Sequence, residues 1–158
     1  MSDLPPPPPS TTSVPATDRL ASIGQRALAQ LIDSVIIGIP LFFVSTAISG
    51  DLTEADSGQL LLVTVLWLGV SLFYNTAMIA IYGATIGKRV MKLMVVNRAD
   101  GSAVTWTYAA VRALIPTVAG LIPVVGLAAN LVVYLRAIFH PLRQGLHDAA
   151  AGTIVVRR

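Results

Sequence analysis

The chain has 158 residues, enough for one compact unit. It is 54% hydrophobic and only 12% charged, with a mean hydropathy of +0.73, against about 25% charged in a typical soluble domain, and this excludes an ordinary soluble protein. There is no cysteine, which excludes disulfides, thiolate chemistry and Cys-based metal sites, and the net charge of +3 carries its information in where the charges lie.

Residues 1–19 read as a disordered, proline-rich, cytoplasmic tail ahead of a membrane domain over 20–158. Pro5 to Pro9 adopt polyproline II, and the Ser/Thr/Pro mixture that follows has nothing to bury. The tail is a solvated spacer or a docking peptide for a proline-binding partner. The opening Met-Ser-Asp-Leu and five prolines lack the basic region and apolar core of a signal peptide.

The first spanning helix is predicted from Arg26 to Ile48. Ala27–Ile48 covers about 33 Å at about 1.5 Å per residue, matching a hydrocarbon core of about 30 Å. Arg26 snorkels at its start, Pro40 kinks it, and Asp33 lies two turns in. A carboxylate at mid-membrane costs about 2.5–3.5 kcal/mol, so Asp33 demands a partner. Arg26 is two turns away, about 10.5 Å along the axis, too far for a tight pair. Gln30, on the face between them, is placed to bridge the two, and Asn75 on the second helix, at similar depth, is the expected hydrogen-bond partner, with Ser34 or Asn130 nearby. Asp33 is then either helix–helix glue, a proton- or cation-binding group, or a neutral lipid-facing carboxyl.

Gly50–Gly58 is a polar loop with three acids and no base. The second span runs about Gln59–Tyr82, with Tyr82 as an interfacial anchor and Trp67 packed against a neighbouring helix. Gly83–Arg89 is a glycine-punctuated basic loop, and it lacks the glycine spacing and the Ser/Thr after lysine of a phosphate-binding loop. Lys88, Arg89 and Lys92 suit anionic headgroups. Met91–Asn97 and Thr153–Arg157 are strand candidates expected to pair with each other, with a turn at Asp100-Gly101. A helix starts near Thr105 or Thr107. Residues 113–135 are apolar but broken by Pro116, Gly120, Pro123 and Gly126, which suits a re-entrant hairpin better than a third span.

Charge placement sets the topology. All eleven basic residues lie at 19–26, 88–112 or 136–158, and none lies in the 50–58 loop. Two spans plus a broken or re-entrant third helical element keep every base and both termini on the cytoplasmic side of the inner membrane. The expected fold is therefore an all-α integral membrane protein with a small cytoplasmic two-stranded β element.

The ordered set Arg26, Asp33, Thr85-Ile-Gly-Lys88, Asp100-Gly101, Arg112 and Arg143-Gln-Gly-Leu-His-Asp148 resembles the RDD family of small membrane proteins over about residues 20–157. The family is named for an arginine and two aspartates, and the resemblance implies these are Arg26, Asp33 and Asp148. Ser34 departs from the further acid many members carry there. The proline-rich head also resembles that of mycobacterial and related actinobacterial members. The resemblance implies transport of an ion or small ligand and no more.

Arg112, Arg143 and Asp148 are expected beneath the bundle, either as an Arg–Asp lock on the C-terminal strand or as a polar gate. His140 and His147 do not suit a metal pair, and His147 beside Asp148 reads as a local hydrogen-bonding group. No nucleophile–base set is visible, so no enzyme, cofactor or metal is expected, nor nucleic-acid binding. Two function classes follow. One is an ion- or solute-transporting oligomer centred on Asp33. The other is a scaffold or accessory subunit that assembles with membrane proteins and recruits a partner through the proline tail.

Overall fold

The computed structural model describes residues 19–50, 54–119 and 136–158. The proline tail, the expected break at Gly120–Pro123 and Asn130 lie outside those residues.

Helix α1 (Ile23–Ser49) opens on a capping box, in which Ser22 Oγ accepts from the Gln25 N–H and Gln25 Oε1 accepts from the Ser22 N–H. It runs through Pro40 without interruption. Helix α2 (Ser57–Tyr82) opens on a second box, Asp56 with Gln59, and closes on Gly83 in the left-handed conformation. Gly83 is required there twice over: its φ is +70°, and a Cβ would press on the Met94 side chain.

The two helices have 27 and 26 residues, about 40 Å each, which exceeds a hydrocarbon core of about 30 Å. Their most apolar stretches are only 17% and 11% buried, which separates them from core helices of a soluble domain. Leu31, Phe43, Leu61 and Phe73 stand outward, each more than 60% exposed. Polar bonds stitch α1 to α2: Gln59 Nε2 donates to Ile48 O (3.3 Å), Trp67 Nε1 to Ser45 Oγ (2.8 Å) and Tyr74 Oη to Asp33 (2.8 Å). Trp67 thus packs on the neighbouring helix as expected.

A one-turn helix α3 (Ile86–Val90) follows α2 and leads into β1 (Leu93–Asn97). After the Asp100-Gly101 turn comes α4 (Trp106–Ala119), which packs on α2. Pro116 lies inside α4, so the start of the apolar 113–135 stretch is the second half of a helix that begins at Trp106. Helix α5 (Leu146–Ala150) packs on α4 and leads into β2 (Thr153–Arg157).

Strands β1 and β2 pair antiparallel with each other, from Leu93 opposite Arg157 to Asn97 opposite Thr153. The segment before α1 joins the same unit, for the Ala21 N–H donates to Val155 O and Leu20 bridges Val156. The main core lies at this junction, where Ala29 and Ile79 of the long helices meet Leu93, Val95, Ala109 and Val155. Among the described residues, this packed core is at one end of the helix pair, and the site is built there.

Candidate functional site

Asp33 is 2% exposed on α1 and points at α3. It does not bond Asn75, whose side chain donates to Ser71 O one turn back on its own helix. The depth match is right and the rotation is wrong by one residue, about 100° around α2, so Tyr74 takes the place. Tyr74 Oη donates to Asp33 Oδ1 (2.8 Å), Thr85 Oγ1 to Oδ2 (2.5 Å) and the Gly87 N–H to Oδ1 (2.8 Å). The Ile86 N–H donates in turn to Tyr74 Oη (3.0 Å). Asp33 thus caps the first turn of α3 from a different helix, satisfying backbone donors that α3 cannot satisfy itself. Gln30 and Ser34 do not join it: both are exposed, and Ser34 Oγ donates to Gln30 O. A lipid-facing Asp33 is ruled out by its burial.

Gly87 makes the contact possible. A Cβ there would collide with the Ala29 carbonyl oxygen and lie 2.9 Å from Asp33 Cγ. In the sequence, Thr85 and Gly87 fall in a family block without an assigned role, and Tyr74 is not singled out. The available signal was a buried tyrosine hydroxyl within the span, which needs a partner.

Asp148 is the second centre. It is fully buried on α5, with its Oδ1 accepting from both Arg112 Nη2 (2.6 Å) and Arg112 Nε (2.7 Å). Oδ2 takes Arg26 Nη2 (3.0 Å) and the Gly145 N–H (3.2 Å). Burial pushes this carboxyl up, but the Arg112 and Arg26 guanidinium groups outweigh it and hold it well below the usual range. His147 Nε2 lies 3.5 Å from Oδ1. Burial drives His147 down to about 3 against the pull of Asp148, so it sits here as a neutral imidazole.

Arg26 and Asp148 are therefore direct partners, although 122 positions separate them in the chain. Arg26 also donates through Nη1 to the carbonyl of Arg143 (2.5 Å). Arg143 does not pair with Asp148 through its own side chain. It sits at φ +48° and extends toward the Leu20 and Ala21 carbonyls (3.4 Å each). The expected Arg–Asp lock exists, but it is made by Arg112 and Arg26 and ties α4 and α1 to α5.

Lys88 on α3 connects the two centres. It is 7% exposed, and its Nζ donates to Thr85 Oγ1 (3.3 Å), the same hydroxyl that donates to Asp33. Burial, then the Arg112 charge, lowers Lys88 to about 7, against the attraction of Asp33 and Asp148. Among the described residues it makes no ion pair. Arg26, Asp33, Lys88 and Arg112 all border one cavity of about 790 Å³ between α1, α2 and α4, with Asn75 on its wall. Among the described residues no cluster of three His, Asp or Glu suits a metal ion.

The described residues are mostly helical, with two candidate membrane-spanning helices, a two-stranded sheet, and a buried ionic network closing one end of the helix pair. The RDD family model matches residues 20–152, so the chain belongs to the RDD family. No curated protein and no solved structure matches it.

Proposed function

We propose that this RDD protein is an inner-membrane unit that binds a small solute in the cavity between α1, α2 and α4 and moves it together with a proton. The hydrogen-bonded chain in which Lys88 Nζ donates to Thr85 Oγ1 and Thr85 Oγ1 donates to Asp33 Oδ2, with Lys88 and Asp33 bordering that cavity, carries the reading. A proton leaving the Lys88 ammonium passes to Thr85 Oγ1 as the Thr85 proton passes to Asp33. The separated charges of Lys88 and Asp33 become a neutral amine and a neutral acid, and the return step reverses it. Lys88 changes charge near neutral pH, which suits such a device. Arg26 and Arg112, each tied to Asp148, hold their charge and shape the mouth.

In the membrane, the ionic end faces the cytoplasm with both chain termini, because that places the basic loops inside. The two candidate spans among the described residues do not enclose a pathway, so the working form is an oligomer. The Asp33 carboxylate is already filled by three donors, which favours a solute other than a bare metal cation.

A second reading has support from the same three donors, since they also make Asp33 a structural joint. In it the protein is a scaffold, and the proline tail recruits a partner.

Proteoliposomes holding a pH-sensitive dye separate the two. They are given pulses of Na⁺, K⁺ or Li⁺, or of organic anions. Pulse-dependent proton movement, lost in Lys88→Gln and Asp33→Asn proteins that remain monodisperse, is the expected result. No proton movement from monodisperse wild type under any pulse overturns the transport reading in favour of the scaffold.

A further inference from the structure

The cavity is asymmetric in its chemistry. Its charged lining, the cations Arg26, Lys88 and Arg112 with Asp33, gathers toward one end, whereas Gly38, Trp67 and Leu68 border it further along the helix pair. Arg26 to Gly38 is twelve residues of α1, about 18 Å at about 1.5 Å per residue. The volume of about 790 Å³ is within the range of about 300–1,000 Å³ that takes a small-molecule ligand.

The charge at the polar end does not cancel. Arg26 and Arg112 share the single carboxylate of Asp148, and three uncharged donors occupy Asp33. Among the described residues, three cations thus stand against two carboxylates. The excess falls on Lys88, which is more than nine-tenths buried and whose ammonium has one long bond to a hydroxyl. A buried charge in that position calls for a counter-charge.

We infer that the cavity binds an anionic amphiphile, its acidic headgroup on Lys88 between Arg26 and Arg112 and its acyl chain along the apolar wall toward Gly38 and Trp67. This rests on the cavity being the working site, and it names the class of solute that site takes. A carboxylate or a phosphodiester supplies the same single negative charge, so a free fatty acid and an acidic phospholipid share the chemistry.

The ligand and the proton compete for one group. Lys88 is surrounded by Asp33 and Arg26 from α1, Arg112 from α4, and Asp148 and His147 from α5, while Tyr74 of α2 bonds the neighbouring Ile86. Of these, Asp148 stays ionised and His147 neutral through the neutral range, so the local charge there follows Lys88. Binding is therefore strong below the Lys88 pKa of about 7 and weakens as pH rises through it. Bound anion shifts that midpoint upward.

The test is equilibrium binding to the full chain in a neutral maltoside detergent. The probes are radiolabelled phosphatidylglycerol and palmitate, with phosphatidylcholine, hexadecanol and inorganic phosphate as controls. Saturable binding is expected for phosphatidylglycerol, for palmitate, or for both in mutual competition, and whichever binds identifies the source. Phosphatidylglycerol keeps its charge across the range, so the loss of Lys88 charge should cut its affinity at least tenfold between pH 6 and pH 9 in unmodified protein. Lys88→Gln should abolish that pH dependence. Gly38→Leu should weaken long-chain probes, because a Cβ at Gly38 meets only Trp67, at 4.0 Å, so the new side chain has room to occupy the deep end. If hexadecanol or phosphatidylcholine binds as well as the anions, or inorganic phosphate binds as well as palmitate, the inference is wrong. A wild-type affinity indifferent to pH overturns it without any variant. Because this assay needs no flux, binding without transport removes only the transport reading, and transport without anion binding removes only the ligand class.

Discussion

Gly87 shows how much one missing methyl group decides. Helix α3 lies against α1 closely enough for the Gly87 N–H to reach Asp33, and a Cβ would strike the Ala29 backbone. Both neighbours in that clash are fixed, so relief requires the helices to part. Gly87→Ala should cost about 2–3 kcal/mol, the upper range for overpacking, and appear as a lowered melting temperature in detergent. Thr85→Val removes the donor to Asp33 and the acceptor of Lys88 while keeping the volume. A loss of about 1–3 kcal/mol is expected from the unsatisfied buried groups, read in the same melting assay. Asp148→Asn should be worse, about 3–5 kcal/mol, because Arg26 and Arg112 would face each other across a neutral amide. Arg26, Asp33, Lys88, Arg112 and Asp148 could all be singled out in the sequence as costly in or beside an apolar chain. Their pairing could not. Side-chain bonds across 41, 52 and 122 positions depend on how helices rotate against each other, and one residue of rotation exchanged Asn75 for Tyr74.

At the scale of elements, the long helices and the short ones are held by different forces. Helices α1 and α2 present mostly apolar side chains outward, and polar bonds tie them at Ser45–Trp67, Ile48–Gln59 and Asp33–Tyr74. In hydrocarbon, such bonds contribute modestly, because the separated helices find other partners. Trp67→Phe should therefore lower stability by about 1 kcal/mol, well short of the Asp148 variant, in detergent melting. Outward substitutions such as Phe43→Leu should fall within about 0.5 kcal/mol. The five-residue helices α3 and α5 have too few internal bonds to persist alone. Asp33 supplies donors' partners for one and Asp148 for the other, so each short helix exists because a buried carboxylate caps it. Strand pairing was legible because two β-branched runs among helices leave few ways to satisfy their backbone. Helix α4 was less so: Pro116 reads as a breaker, but α4 accommodates it.

At the scale of the whole molecule, the described residues form a helix pair closed at one end by an ionic and β-structured plug, and the pH response follows from that plug. His147 is pushed to about 3 from 6.5, so as pH falls below about 6.5 the unfolded chain takes up a proton that the folded one refuses. Stability should drop steadily from pH 6.5 toward pH 3. Lys88, lowered to about 7 from 10.5, works in another window: its contribution is present above 10.5, declines as pH falls to about 7, and is constant below. A melting series in detergent should show both slopes, with His147→Gln flattening the acid one. Tyr82 and Arg89 mark the edge of the plug, the guanidinium 5.2 Å over the ring, where an aromatic anchor and a headgroup-seeking cation belong.

Composition and pattern alone sufficed for two apolar helices of spanning length, two pairing strands, membership in a family of membrane proteins, and the short list of costly charges. These follow from local quantities: hydropathy, period, residue type and spacing. Which carboxylate serves which cation, that Asp33 caps a helix rather than meeting Arg26, and that Lys88 is left with excess charge in a cavity all depend on helix rotation and on distances between remote segments. Those are set by packing at Gly87 and at the junction of Ala29, Ile79 and Val95, where a single Cβ or a hundred degrees of turn changes the partner.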